Sequence, residues 1–221
     1  MVSIATENFI KTVYQLDQLL EKKTKPGSIA RELGITSAAA TDMARKLSDK
    51  KLLDYEKYKT LKLTPSGEKM ALRILRKHRL WETFLHQVLG LSMHEIHREA
   101  ELLEHLTSDF LAEKISLYLG HPETDPHGDP IPDAEGIIFR DENSTPLSKA
   151  TPDQYYVISR LSGSDKEFFD FCYANQLTVG SALKVDNQYE KNQMTEIELN
   201  HVRLLLNREL ADTIFVRIKE M

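Results

Sequence analysis

The chain is poor in cysteine. A single thiol, Cys172, stands among 221 residues, too few for an internal disulfide or a thiolate-rich zinc site. Its aromatic neighbours in FFDFCYANQ mark it as a buried small hydrophobe. No apolar run approaches the ~18 residues of a membrane span. Val2 to Asn8 is too polar and mixed for a signal peptide. A soluble, cytoplasmic protein without a membrane partner is expected. Repeats and low-complexity tracts are missing too. Proline is scarce except in one place: six of the eight fall at 122, 126, 130, 132, 146 and 152. Residues 121–152 therefore read as structured loop and linker.

Charge is abundant and unevenly placed. Residues 1–80 hold 17 Lys and Arg against 9 Asp and Glu, and the remainder 12 against 25, so a net charge of -5 conceals a basic head and an acidic body. A polyanion partner for the first third follows.

The patterning predicts a mainly α chain with a small β module. Phe9, Ile10, Val13, Leu16 and Leu20 make an amphipathic first helix. SIARELG gives a short helix, and Thr36 or Ser37 caps the next, with Met43, Ala44 and Leu47 at core spacing. Residues 53–63 alternate as a two-stranded ribbon. Thr64-Pro65 restarts a helix that stops near Gly90, Ser92 to Glu95 is a capping box for a helix at 93–106, and another helix covers about 108–119. YYVISRL, LTVGSALKV, EIELN and TIFVRI read as strands of a barrel-like module around a helix near 165–175.

Three helices and a ribbon describe a winged helix-turn-helix. The first turn of a recognition helix must enter the major groove, where small polar groups fit and read base edges. Thr36, Ser37, Ala38, Thr41 and Asp42 suit that role, and Ala39 and Ala40 permit close approach. Arg45, Lys46, Lys57, Tyr58 and Lys59 are placed to meet phosphates from the helix flank and the wing.

The acidic body carries a different signal. In HREAELLEH, His97, Glu101, Glu104 and His105 occupy i, i+4, i+7 and i+8, one face of a helix. Ile96, Leu102, Leu103, Leu106 and Phe110 lie roughly opposite and are expected to supply core. The preceding helix offers His78 and Glu82 at i, i+4. His/Glu pairs at one-turn spacing on consecutive helices are how helical proteins hold metal ions. ETDPHGDPIP adds Asp125 and His127 on backbone stiffened by prolines, either as ligands or as a tight turn with surface polar groups.

These stretches resemble the metal-dependent regulators typified by the diphtheria toxin repressor and the manganese transport regulators. TENFIKTVYQL, SIARELGIT through KLSDKKLL, YEKYKTLKLTPSG, RKHRLWE, HREAELLEH and DPHGDPIP carry the likeness over nearly the whole chain. The resemblance implies a winged helix-turn-helix (1–64), a helical dimerisation and metal-binding domain (65–140) and an SH3-like, FeoA-like barrel (152–221). It also implies a homodimer that binds palindromic double-stranded operator DNA and represses metal-uptake genes.

Carried over by position, one metal site would use His78, Glu101, Glu104 and His105 with a group from the first helix. Asn8 stands where the manganese members have aspartate and the iron members methionine, with Glu7 beside it. A second site would use Glu82, His97, Asp125 and His127, with Asp165 or Glu167 from the C-terminal domain. Imidazole, carboxylate and amide donors suit Mn²⁺ and are accepted by Fe²⁺; Mn²⁺ is the expected effector and Fe²⁺ the alternative. The metal is expected to bridle two carboxylates, Glu101 and Glu104, that repel each other without it. Two rivals remain: a metallohydrolase, which leaves the basic wing unexplained, and a winged-helix regulator with an organic effector.

Overall fold

A computed structural model describes residues 2–19, 24–56, 59–139, 143–163 and 165–219. Two compact units are distinguished: Met1–Trp81 with Ala100–His121 and Ile131–Ile138, and Glu82–Glu99 with Pro122–Pro130 and Phe139–Met221.

The first unit opens with α1 (Ile4–Tyr14), whose free first-turn amides are met by Ser3 accepting from Thr6 N. It continues as a π-helical turn over Gln15–Leu19. Next come α2 (Pro26–Glu32), with proline at the position where a missing N–H costs nothing, and α3 (Ser37–Asp49). Between them Gly34 adopts φ +63°, a left-handed turn that suits glycine. Thr36 caps α3 through Ala39 N. The ribbon is short: β1 (Leu53–Asp54) pairs antiparallel with β2 (Lys62–Leu63). Phe9, Ile10, Val13, Ile29, Ala40, Ala44, Leu47, Leu53, Leu61, Ala71 and Leu75 close over one core. Ala40 is completely buried in it, so of the two alanines expected to permit close approach only Ala39 faces outward.

Helix α4 (Pro65–Leu89) ends before Gly90, as Thr64-Pro65 and Gly90 foretell. Helix α5 (Met93–Leu103) begins at the Ser92 capping box, in which Glu95 accepts from Ser92 N at 2.9 Å and Ser92 Oγ at 2.7 Å. It stops at Leu103, three residues short of expectation, so Glu104 and His105 lie in the turn that follows. Glu104 N still donates to Ala100 O. Ser108 caps α6 (Asp109–Tyr118).

At the C-terminal end of HREAELLEH the expected inside and outside are exchanged, whereas at its start Ile96 is buried as expected and His97 is exposed. Glu104 is 1% exposed, whereas Leu102, Leu106 and Phe110 are 65, 83 and 73% exposed. Periodicity separates a polar face from an apolar one without saying which turns inward. Glu104 goes in because Lys11 and His78 meet its carboxylate, which offsets the cost of burying it.

The second unit is built on a six-stranded antiparallel sheet in the order β3-β8-β4-β5-β6-β7. Its strands are β3 (Thr145–Pro146), β4 (Gln154–Leu161), β5 (Ala182–Tyr189), β6 (Met194–Leu199), β7 (Val202–Asn207) and β8 (Ile214–Ile218). Register shifts at Ile158/Arg160 and Val185/Asn187 bend and twist the sheet. Helix α7 (Lys166–Ala174) lays Phe168 and Cys172 on its core, and α8 (Arg208–Thr213) precedes the last strand. Strand β3 and the fully buried Leu147 fall inside the stretch expected to be linker. Pro146 is tolerated there because β3 is an edge strand.

Candidate metal centre and nucleic-acid interface

Within the first unit, three elements converge on one polar cluster. Glu101, Glu104 and His105 each offer a ligand atom, and these atoms lie within 4.8 Å of one another. His78, on α4, places Nδ1 2.6 Å from Glu104 Oε2. From α1, Glu7 Oε2 accepts from His105 Nδ1 at 2.6 Å. That bond sets the tautomer of a neutral imidazole: with the proton on Nδ1, Nε2 carries the lone pair. His105 Nε2 is buried, without a hydrogen-bond partner, and 3.3 Å from Glu104 Oε1. Asn8 Oδ1, next to Glu7, is likewise buried and unpartnered. Buried acceptors are seldom left unmade. An imidazole lone pair, an amide oxygen and two carboxylates are the donor set a hard divalent cation takes, and the residues fit such an ion.

One participant was not foreseen. Lys11, 4% exposed, points its ammonium between the carboxylates, 2.5 Å from Glu101 Oε1 and 2.6 Å from Glu104 Oε1. The carboxylates are therefore not a bare repelling pair, which at ~4 Å in a dielectric of ~20 would cost about 4 kcal/mol. The signal was its spacing, three residues after Asn8 and four after Glu7, hidden in the apolar run FIKTVY.

The second expected set lies in the other unit. Glu82 is 2% exposed, and its Oε1 lies 3.1 Å from His97 Nδ1 and 3.7 Å from His127 Nε2. The loop carrying His127 is pinned twice. Asp125 Oδ1 accepts from His127 N and Asp129 N, and His127 O accepts from Leu161 N on β4. Gly128 at φ +86° passes so near Ser159 O that a Cβ would sit 2.1 Å from it, so only glycine fits. The imidazole packs 5.0 Å from the Phe169 ring, and its Nδ1 is buried and unpartnered. Burial alone would lower the His127 pKa, but the Glu82 hydrogen bond and the charges of Glu82, Asp125 and Asp129 outweigh it and raise the value. Asp165 caps α7 by accepting from Phe168 N. Asp165 and Glu167 are exposed, and no hydrogen bond or ion pair joins either to Glu82, His97 or His127 among the described residues.

On α3, Thr36, Ser37, Ala38, Asp42, Arg45 and Lys46 are exposed, with Thr41 half-buried and its hydroxyl donating to Ser37 O. Asp42 pairs with Lys46 at 2.8 Å, which offsets its charge on a face meant for phosphate. Lys59 is exposed and paired with Glu56. Lys57 and Tyr58, the expected wing tip, lie outside the described residues. No helix of the described residues is long and apolar enough to cross a membrane.

Three family models cover the chain: the iron dependent repressor N-terminal DNA binding domain over residues 1–61, the iron dependent repressor metal binding and dimerisation domain over 64–133, and the FeoA domain over 145–218. The chain is 27% identical over 187 residues to the diphtheria toxin repressor of Corynebacterium jeikeium, covering 83% of this chain and 76% of that one. It is 33% identical to the HTH-type transcriptional regulator MntR of Listeria monocytogenes, covering 56% of this chain and 88% of that one. Several other curated relatives are matched over only 55–62% of their length. A solved manganese-dependent transcriptional repressor in complex with manganese superposes with a TM-score of 0.88 at 29% identity, covering 97% of this chain and 100% of that one.

Proposed function

Because the chain belongs to the family of metal-dependent transcriptional repressors, we propose that it binds palindromic operator DNA as a homodimer when loaded with Mn²⁺ and so controls metal-uptake genes. The observation that carries this reading is the buried, unpartnered Nε2 of His105 beside Glu104, in one cluster with Glu101. His78, Glu101, Glu104, His105 and the Asn8 amide oxygen would hold the ion. Glu7 acts behind them, fixing the ring of His105, as carboxylates behind ligating histidines generally do. A bound divalent cation would supply positive charge between these donors. Asn8 belongs to the helix that opens the DNA-reading head (1–64), and Glu101 to Glu104 belong to the helical segment (65–140). A change at their junction would alter how the head is carried.

Glu82, His97 and His127 form the second centre, with Asp125 holding the loop and Asp165 or Glu167 the contribution from the sheet domain (152–221). Every donor in both centres is imidazole, carboxylate or amide. The one thiol is no candidate: burial pushes Cys172 up to about 12, leaving no thiolate to select a softer metal. Fe²⁺ accepts the same donors and is the second reading. A metallohydrolase would not need the exposed small-residue turn of α3, so a regulator rather than an enzyme is the reading it favours. The exposed leucines and Phe110 of residues 102–110 are the face for the second copy, being too apolar to be left to water. The test is DNA binding by fluorescence anisotropy after chelation, with Mn²⁺ or Fe²⁺ restored. Tight binding only with added metal supports the proposal, and equal binding in chelator overturns it.

A further inference from the structure

We propose that Lys11 is a built-in competitor for the metal, an ammonium that holds Glu101 and Glu104 in the metal-free protein and must leave before a divalent ion can bind them. This rests on the metal-centre reading above. Lys11 Nζ contacts Glu101 Oε1 and Glu104 Oε1, and the latter is the same oxygen that lies 3.3 Å from the unpartnered His105 Nε2. The ammonium thus stands against the oxygens that a cation bound to His105 would share. Its side chain is 5% exposed and that of Glu104 is fully buried, so water screens the pair little and the contact is strong.

An ammonium seated on the oxygens that would face the ion repels it, so binding is an exchange of one positive group for another. The exchange has a use. In the metal-free protein Lys11 keeps α1 tied to the turn after α5, at the reach of a four-carbon stem. With the ion in place, the tie would pass to the Asn8 amide on the same helix. The head is then held in both states, but by groups of different length, and the ion must outcompete a resident charge. The resident charge therefore raises the concentration of divalent ion needed to fill the site.

The test is direct Mn²⁺ binding to the full-length protein, read from the electron paramagnetic resonance signal of the free aqua ion. Lys11→Met removes the charge and keeps the stem. Lys11→Gln is the second neutral variant should the first not fold, and Lys11→Arg retains the charge. Loss of one competing charge-assisted pair should tighten binding by about tenfold or more in either neutral variant, with Lys11→Arg no tighter than wild type. The neutral variants should also melt lower than wild type in chelator and gain more on adding Mn²⁺. Neutral variants that bind Mn²⁺ no more tightly than wild type overturn the proposal. His105→Ala in the same titration separates the two readings. If it weakens binding while Lys11→Met changes nothing, the competitor idea alone fails; if it too changes nothing, the metal centre is elsewhere and both fail.

Discussion

Glu104→Gln probes the buried cluster with the least disturbance of shape. The carboxylate is 1% exposed and makes two short polar contacts, to Lys11 Nζ and His78 Nδ1, both 2.6 Å. The amide keeps the volume and one acceptor but loses the charge. Hydrogen bonds to charged groups contribute roughly 1.5–3 kcal/mol each. Glu101 remains to hold Lys11, so the net loss should be about 2–4 kcal/mol in chelator. For a chain of this size each kcal/mol moves the melting temperature by ~2–4 °C, giving a drop of roughly 5–15 °C in scanning calorimetry or by circular dichroism. Manganese should then separate the two proteins further. An ion present at a hundred times its dissociation constant stabilises wild type by ~2.7 kcal/mol, and the variant, short of one charged donor, should gain much less. A melting temperature within a degree of wild type in chelator, with an equal gain on Mn²⁺, would refute the reasoning from geometry to energy.

Other outcomes follow from separate parts of the molecule. Lys57→Ala with Lys59→Ala should weaken binding to all DNA sequences about equally and flatten its salt dependence by about one unit for each phosphate the variant no longer neutralises; an unchanged slope removes the wing from the interface. Phe110→Glu should weaken the dimer roughly a hundredfold or more, since a buried aromatic contributes ~1.5–3 kcal/mol on each copy; sedimentation showing an intact dimer at the same concentration contradicts the assignment of that face. Cys172, 2% exposed with its pKa pushed up to about 12, should resist a thiol-specific disulfide reagent at pH 8 until denaturant is added. Rapid labelling of the native protein would show that the thiol is not in the core.

The sequence made the helices legible where punctuation was chemical. Thr64-Pro65, Gly90 and Ser92 each mark an end that the structure keeps within a residue or two. It also marked the face of α5 that carries imidazole and carboxylate. It could not show that the Glu104 end of this face turns inward, because polar groups are buried only with partners on other elements. Lys11 and Glu7 are those partners, more than 90 residues away in sequence. Strand β7 was missed because its hairpin turn is Asn200-His201, both at positive φ; asparagine fits that turn but histidine is an unusual second residue for it. Asp165 shows the opposite limit. Its match to a ligand position is a statement about sequence, while its visible work is to cap α7.

Anomalous diffraction at the manganese edge, from crystals of the metal-loaded protein, tests the central claim most directly. The account predicts a peak between Glu101, Glu104 and His105, bonded to His105 Nε2, with the Lys11 ammonium withdrawn from both carboxylates. A peak absent from that cluster in fully loaded crystals, with Lys11 still seated between Glu101 and Glu104, would contradict it.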